Sequence, residues 1–315
     1  MGGKRALRTT VIVGLLTALC PGPRALGQQA PSGIEGVGSP AIVPTEDTLD
    51  TTYGLSMGAG ARAGAIGVSA LAYNTSNMAA VSTYDVDTFS QIIPGSKSQG
   101  GTYWTIGSSI SDSTTSKKIA MGTSFRGVFS GENRRYSGWD WRSGIGLQAV
   151  PQLGLGVAFR WAKLKADRFE GQKLGPSFEG ITMDASLTVT PIPWLRVSGL
   201  GYNLIKTHSA LAPQMAGASV SLAPVESFSV GGDMLFDFTT FAKTKLIAGA
   251  GVSYTAGEMV PIRFGYRRDQ GRNLNQLTAG MGYAKGKIAA EVALRQDIKG
   301  RKESYIIVMF RVVVQ

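Results

Sequence analysis

The chain has 315 residues, a formal net charge of +11, 43% hydrophobic side chains, one cysteine and one histidine. A single cysteine excludes an internal disulfide, and a single histidine excludes metal sites built on two or more histidines. The excess of Lys and Arg does not gather on a helix or in a recognisable motif, so it gives no sign of a nucleic-acid surface.

The N-terminus reads as a cleavable export signal. Lys4, Arg5 and Arg8 precede an apolar run from Thr9 to Leu19. Its eleven residues are too few to span a bilayer as a helix. Ala25-Leu26-Gly27 places small residues where a signal peptidase cuts, so residues 1–27 are expected to be removed. A lipoprotein signal ending at Cys20 is the alternative, disfavoured because Leu19 stands where a small residue is wanted. Removing Lys4, Arg5, Arg8 and Arg24 leaves no cysteine and lowers the charge from +11 to +7. Residues 28–50 are rich in Pro, Gly and Ser, without periodicity, and read as a flexible periplasmic lead. Residues 51–82 are small, mildly apolar and uncharged except for Arg62. They do not alternate, and are expected to form a short strand and helix that plug the structure that follows, as a hatch.

Residues 83–315 alternate. From Lys287 to Asp297, Ile288, Ala290, Val292 and Leu294 take one parity, while Lys287, Glu291, Arg295 and Asp297 take the other. Successive strand side chains point to opposite faces, and about ten residues let a tilted strand cross a bilayer. Fourteen such spans are predicted: 84–93, 101–110, 119–129, 139–149, 153–164, 180–190, 194–204, 216–223, 226–237, 243–253, 259–268, 275–285, 287–297 and 303–313. Connections after even-numbered spans are mostly short, with Pro151, Pro191, Pro193, Pro224 and Gly286 in them; those after odd spans are mostly longer and polar. Short periplasmic turns and long external loops belong to an all-β, antiparallel transmembrane barrel, here of about fourteen strands with a hatch in the lumen.

The parity opposite the oily one carries Arg126, Asp140, Arg142, Arg160, Asp184, Arg196, Arg263, Glu291 and Arg295. So many charges are too costly for a dry core, which predicts a wet lumen. Either these arginines attract an anion or a fatty-acid carboxylate, or they form a ladder of ion pairs with Asp140, Asp184, Glu291 and Asp297. The ladder is favoured. Glycines on the same parity, such as Gly154, Gly156, Gly249, Gly251, Gly280 and Gly282, suit tightly curved strands. Trp139, Trp141, Trp161, Trp194, Tyr254, Tyr266 and Tyr283 fall near strand ends, where an aromatic girdle belongs.

Residues 54–80, GLSMGAGARAGAIGVSALAYNTSNMAA, resemble the N-terminal signature of the FadL-like superfamily of outer-membrane barrels. Gly60-Ala61-Arg62-Ala63-Gly64 matches the GARAxG part, Ser69 to Asn74 matches the following SALYxN part, and Met78-Ala79 matches its end. The family's Asn-Pro-Ala is Asn74-Thr75-Ser76 here, so the proline is absent. Chain length and the C-terminal strands are closer to the shorter PorV/PorQ-type branch. The resemblance implies a fourteen-stranded barrel in the bacterial outer membrane, with a hatch that includes Gly60, Arg62, Gly64, Tyr73, Asn74 and Met78. In the fatty-acid branch a hydrophobic ligand passes the hatch region and leaves through a gap in the wall. In the PorV branch the barrel binds secreted proteins. The partners expected are therefore outer-membrane lipid and lipopolysaccharide, with a hydrophobic small molecule or a secreted protein as cargo.

No enzymatic arrangement emerges, and neither cofactor nor metal is expected. His208 lies in a predicted loop; Asp184, Glu291 and Asp297 sit among arginines, where neutralising charge is their expected task. The loop bases Lys97, Arg134, Arg135, Lys173, Arg268, Arg272, Arg301 and Lys302 are candidates for contact with lipopolysaccharide phosphates. The chain ends Phe310-Arg311-Val312-Val313-Val314-Gln315, displacing the terminal aromatic usual in such barrels.

Overall fold

Alternation over this many spans forces a sheet with one oily face, and such a sheet is stable only if that face is covered or meets lipid. The computed structural model describes residues 51–315 except 59, 95–101, 131–135, 167, 170–171, 174–177, 208, 210–211, 242, 300–303 and 315. The signal and lead segments, His208, Lys97, Arg134, Arg135, Arg301 and Lys302 lie outside the described residues, and of Lys173 only the backbone is described.

The strands are β1 (Tyr84–Ile93), β2 (Tyr103–Asp112), β3 (Ile119–Ser130), β4 (Tyr136–Val150), β5 (Leu153–Ala166), β6 (Arg168–Phe169), β7 (Gln172–Lys173), β8 (Phe178–Ile192), β9 (Leu195–Tyr202), β10 (Met215–Val225), β11 (Phe228–Asp237), β12 (Lys245–Ala256), β13 (Val260–Asp269), β14 (Leu274–Lys285), β15 (Ile288–Lys299) and β16 (Ser304–Val314). Fourteen of them close into one antiparallel barrel, each beside its sequence neighbour, with β1 pairing β16 to complete the ring. The exceptions are β6 and β7, a separate two-stranded ribbon between β5 and β8 that the alternation did not predict. Every predicted span is a strand, with no bound off by more than three residues.

Closure leaves no edge to pair with another chain, and the oily parity faces out. Ile106, Phe125, Phe159, Ile181, Phe264 and Leu294 are exposed on the exterior, as lipid-facing groups must be. Aromatic side chains sit toward both rims: Trp104, Trp141 and Trp161 in the half with long connections, Trp194, Tyr254 and Tyr283 at the end with short turns. Trp139 packs edge-on against Trp161 with ring centres 4.9 Å apart. The short-turn end is called the inner end below.

Prolines punctuate that inner end. The ladder slips between β4 and β5 next to Pro151, between β8 and β9 at Pro191, and between β10 and β11 at Pro224. Proline cannot donate to a ladder, so it is accommodated where the register breaks. Gly286 turns β14 into β15 with φ +61°, a conformation that costs glycine little. At the outer end β9 stops at Tyr202, and Asn203 takes φ 52° as the chain leaves the wall. Its side chain donates to the Pro213 carbonyl at 2.8 Å and its backbone N–H to Asp184 at 2.8 Å, and Asn203, Ala212 and Pro213 are buried.

Residues 51–82 lie within the ring of strands. They form α1 (Thr52–Ser56), α2 (Gly67–Tyr73) and a 3-10 turn over Thr75–Ala80, with no strand among the described residues, contrary to the expected strand and helix. Small residues with no alternation give no ladder to join; the segment instead forms short helices whose polar groups bond to the wall.

Candidate functional site

Three layers fill the lumen. The outermost is apolar. Phe89, Ile93, Val128, Leu164, Phe178 and Ile307 point inward near the outer strand ends and pack into one buried cluster, joined by Ala212 from the connection 203–214. Leu200, Tyr202, Met215, Leu235 and Ile247 form a second inward cluster. Alternation alone assigned this parity to water and charge. The outer part of several strands breaks that rule, placing oily residues on both faces.

The middle layer holds the charges, and it is not wet. Arg160 is 0% exposed and Arg295 1%. The expected wet lumen is therefore corrected, because the charges are matched rather than hydrated. Arg160 binds Asp140 through its Nε and Nη2 atoms and reaches Asn203 at 3.4 Å. Arg142 pairs with Asp184 at 3.2 Å. Arg263 grips Glu291 with two prongs, at 2.8 and 3.3 Å. Arg126 lies over the Phe89 ring at 5.0 Å and Arg295 over Tyr305 at 4.5 Å. Asp297 accepts the backbone N–H of Asn275 at 3.1 Å. Paired and hydrogen-bonded charge can be buried where isolated charge cannot. Asp140, Asp184 and Glu291 thus serve as counter-ions, as the ladder reading had it.

The third layer is the N-terminal segment, held by the wall along its length. Thr52 donates to Glu291 at 2.7 Å; Thr278 donates to the Ser56 carbonyl at 2.8 Å; Ser219 accepts from the Ala63 N–H at 2.7 Å. Arg62 pairs with Asp233 at 2.8 Å and its Nε donates to Tyr202 at 3.1 Å. Tyr202 also donates to the Tyr73 carbonyl. Asn74 donates from Nδ2 to Arg62 O (3.2 Å), Thr188 (3.1 Å) and Ser198 (3.0 Å), and accepts from Ser76 at 2.6 Å. It thus clasps two parts of the segment and two strands at once. Asn74→Ala removes two N–H donors shared among three acceptors, at about 1 kcal/mol per bond, so backbone hydrogen exchange over residues 62–76 should speed by about tenfold or more. Unchanged exchange would show that Asn74 is not the clasp.

Glycine supplies the seat. Gly231, Gly251 and Gly265 are register neighbours on β11, β12 and β13, and Gly146 and Gly156 face each other on β4 and β5. A Cβ at Gly251 would lie 2.4 Å from the Met57 carbonyl oxygen, and one at Gly156 would lie 2.2 Å from the Ser76 nitrogen. Opposite them, a Cβ on Gly60 would meet Gly231 O at 2.4 Å, and one on Gly64 would meet the Tyr53 hydroxyl at 2.5 Å. Beyond the strand curvature expected of them, the inward Gly154, Gly156, Gly251 and Gly280 present bare backbone against which the segment lies. Met78 fits the same way over Gly122 and Gly146.

The sequence reading brought Arg62, Tyr73, Asn74, Asp140, Arg142, Arg160, Asp184, Arg263 and Glu291 into this layered site. It missed Asp233, the partner of Arg62, and the pair Arg311–Asp87 at 3.7 Å, whose arginine also donates to Ser69 at 3.1 Å. Their inward parity was the available signal. Arg196 stands apart from the ladder. It borders a cavity of about 300 Å³ at the inner end, with Ser76, Asn77, Gln148 and Thr190. Of the bases expected in loops, Arg268 lies instead within β13, where it is exposed, while Arg272 pairs with Asp269 at 2.6 Å and is occupied within the protein.

No protein-family model matches the sequence, and no curated protein matches it. Solved structures do. The toluene transporter TbuX of Ralstonia pickettii superposes with a TM-score of 0.61 at 12% identity, covering 84% of this chain and 98% of that one. The CymD monoaromatic hydrocarbon channel gives 0.65 at 14%, covering 83% and 96%. A FadL homologue of Pseudomonas aeruginosa gives 0.53 at 8%, covering 84% and 98%. At such identities the likeness establishes the fold: a closed fourteen-stranded barrel of FadL-like architecture.

Proposed function

From that architecture as premise, we propose that the protein sits in the bacterial outer membrane and lets hydrophobic small molecules pass by movement of its N-terminal segment. The observation that carries this reading is the stacking inside one barrel of an inward apolar layer at the outer end over a segment held by hydrogen bonds and bare glycines. The apolar layer offers a greasy ligand a place to leave water. The segment below is joined to the wall by reversible polar contacts rather than by strand pairing, so it can shift without opening the ring. Among cargoes, long-chain fatty acids follow from the resemblance of residues 54–80, and monoaromatic hydrocarbons from the proteins of similar fold. The exposed Arg268 is offered for contact with lipopolysaccharide phosphate at the outer rim.

A reversible tether tests the segment's role. Cys20 is the single cysteine of the sequence, so Ala63→Cys with Ser219→Cys adds one addressable pair where the backbone of residue 63 already meets residue 219. Cells lacking other routes for oleate and toluene should lose uptake through the oxidised variant and regain it on reduction. Full uptake through the oxidised variant refutes gating by this segment. The second reading, a PorV-type barrel that docks exported proteins, rests on the short chain and the C-terminal strands. It is favoured instead if wild-type protein carries neither compound while gently solubilised membranes yield a secreted partner with it.

A further inference from the structure

The lumen's arginines are matched to carboxylates, amides, carbonyls or ring faces with one exception among the described residues. Arg196 lies on β9 with its side chain half-buried, and no carboxylate pairs with it. Its register partners are Ser221 on β10 and, one step along, the Val197–Val189 pair toward β8, none of them acidic. It borders the cavity of about 300 Å³ whose rim is formed by Gln148, Pro151 and the end of the 3-10 turn. Ala80 and Pro151 are exposed there, so the cavity is reached from the inner side of the barrel.

A half-buried guanidinium without a counter-ion costs free energy unless something completes it. In the same molecule Arg62, Arg142, Arg160 and Arg263 each have an acid within 3.2 Å, so chain and fold readily supply one where charge is merely structural. The cavity volume lies at the lower end of small-molecule pockets. Its lining combines the cation with polar residues, Asn77, Gln148 and Thr190 among them, and with Ala79, Ala80 and Gly154. A planar carboxylate suits a single arginine fork, and an apolar body suits the alanines and glycine.

We propose that this inner-end cavity is a carboxylate subsite, in which Arg196 takes the head of an amphiphile that has passed the N-terminal segment. This deepens the transport reading and rests on it for the order of events, though not for the binding itself.

Isothermal titration of the full protein in an uncharged maltoside detergent distinguishes the two. The probes are 3-phenylpropionate and the matched alcohol 3-phenylpropan-1-ol. Wild type should bind the acid about tenfold tighter or more, as a charge-assisted hydrogen bond in a half-buried site provides. Arg196→Gln should erase that preference while leaving alcohol binding unchanged, and Arg196→Lys should keep part of it. Heat-dependent gel mobility checks that each variant is a folded barrel. Equal affinity of wild type for acid and alcohol, or a preference that survives in Arg196→Gln, overturns the subsite, even if uptake is normal. An Arg196-dependent preference in a protein that transports neither oleate nor toluene nor 3-phenylpropionate upholds the subsite and refutes the transport reading.

Discussion

Gly251→Val is expected to lift the N-terminal segment from the barrel wall and expose Arg62 to trypsin. A Cβ at Gly251 meets Met57 backbone at 2.4 Å, and the chain there has no side chain that could swing aside. The segment's backbone lies as closely on the neighbouring Gly231 and Gly265, so it has no free wall to slide onto. Overpacking of this kind costs about 1–3 kcal/mol, which raises the displaced population by about 5- to 150-fold. Arg62 is the sole charged residue in 51–82 and is 5% exposed when seated, so cleavage after it reports displacement directly. When opening and closing are fast relative to cleavage, the rate follows the displaced population. Gly156→Val, which meets Ser76 and Thr75 backbone, should act alike on the opposite wall. Gly199→Ala is the control: nothing lies within 4 Å of its added Cβ, and cleavage should keep the wild-type rate. Mass spectrometry of timed digests reads all three. A Gly251→Val protein as resistant at Arg62 as wild type would show that the segment is held by something other than the glycine seat.

The second large effect is expected at Asp140→Asn. Arg160 is wholly buried, and Asp140 is its ion-pair partner. The amide keeps the shape and removes the charge, so the buried guanidinium loses its Asp140 counter-ion while keeping its other contacts, Asn203 among them. Removing one partner of a buried pair costs about 3–5 kcal/mol. Urea titration of the barrel in detergent should show that loss. The double variant Asp140→Leu with Arg160→Met removes both charges and should recover most of it, because a well-packed apolar pair of similar volume is often as stable as the ion pair. A single variant within about 1 kcal/mol of wild type would mean that water reaches Arg160. The wet-lumen expectation would then be right after all.

Some of this molecule was readable in one dimension and some was not. Strand number and inward parity were legible, because a two-residue repeat has one meaning in an extended chain and most spans obey it over most of their length. Lys287–Asp297 carried the signal and became β15 with the same faces. The ribbon β6–β7 was illegible, since two residues per strand show no period. Among the charged residues, parity told which look inward but not which meet. Arg126 and Asp140 are direct register partners, yet Asp140 is gripped by Arg160 on the next strand. Asp233, the anchor of Arg62, lies 171 residues away and was invisible as a partner.

The sequence by itself determined the all-β class, the fourteen spans, the oily exterior and a non-alternating N-terminal segment unlike the rest. These follow from local periodicity, which each strand carries alone. The tertiary structure decided whether the lumen was wet, what the glycines were for, and that Arg196 is left without an acid. Those depend on where the N-terminal segment and the far strands meet. Charge is hydrated or matched according to what stands beside it in space, and a glycine's bare face acquires a purpose only when another backbone is laid upon it.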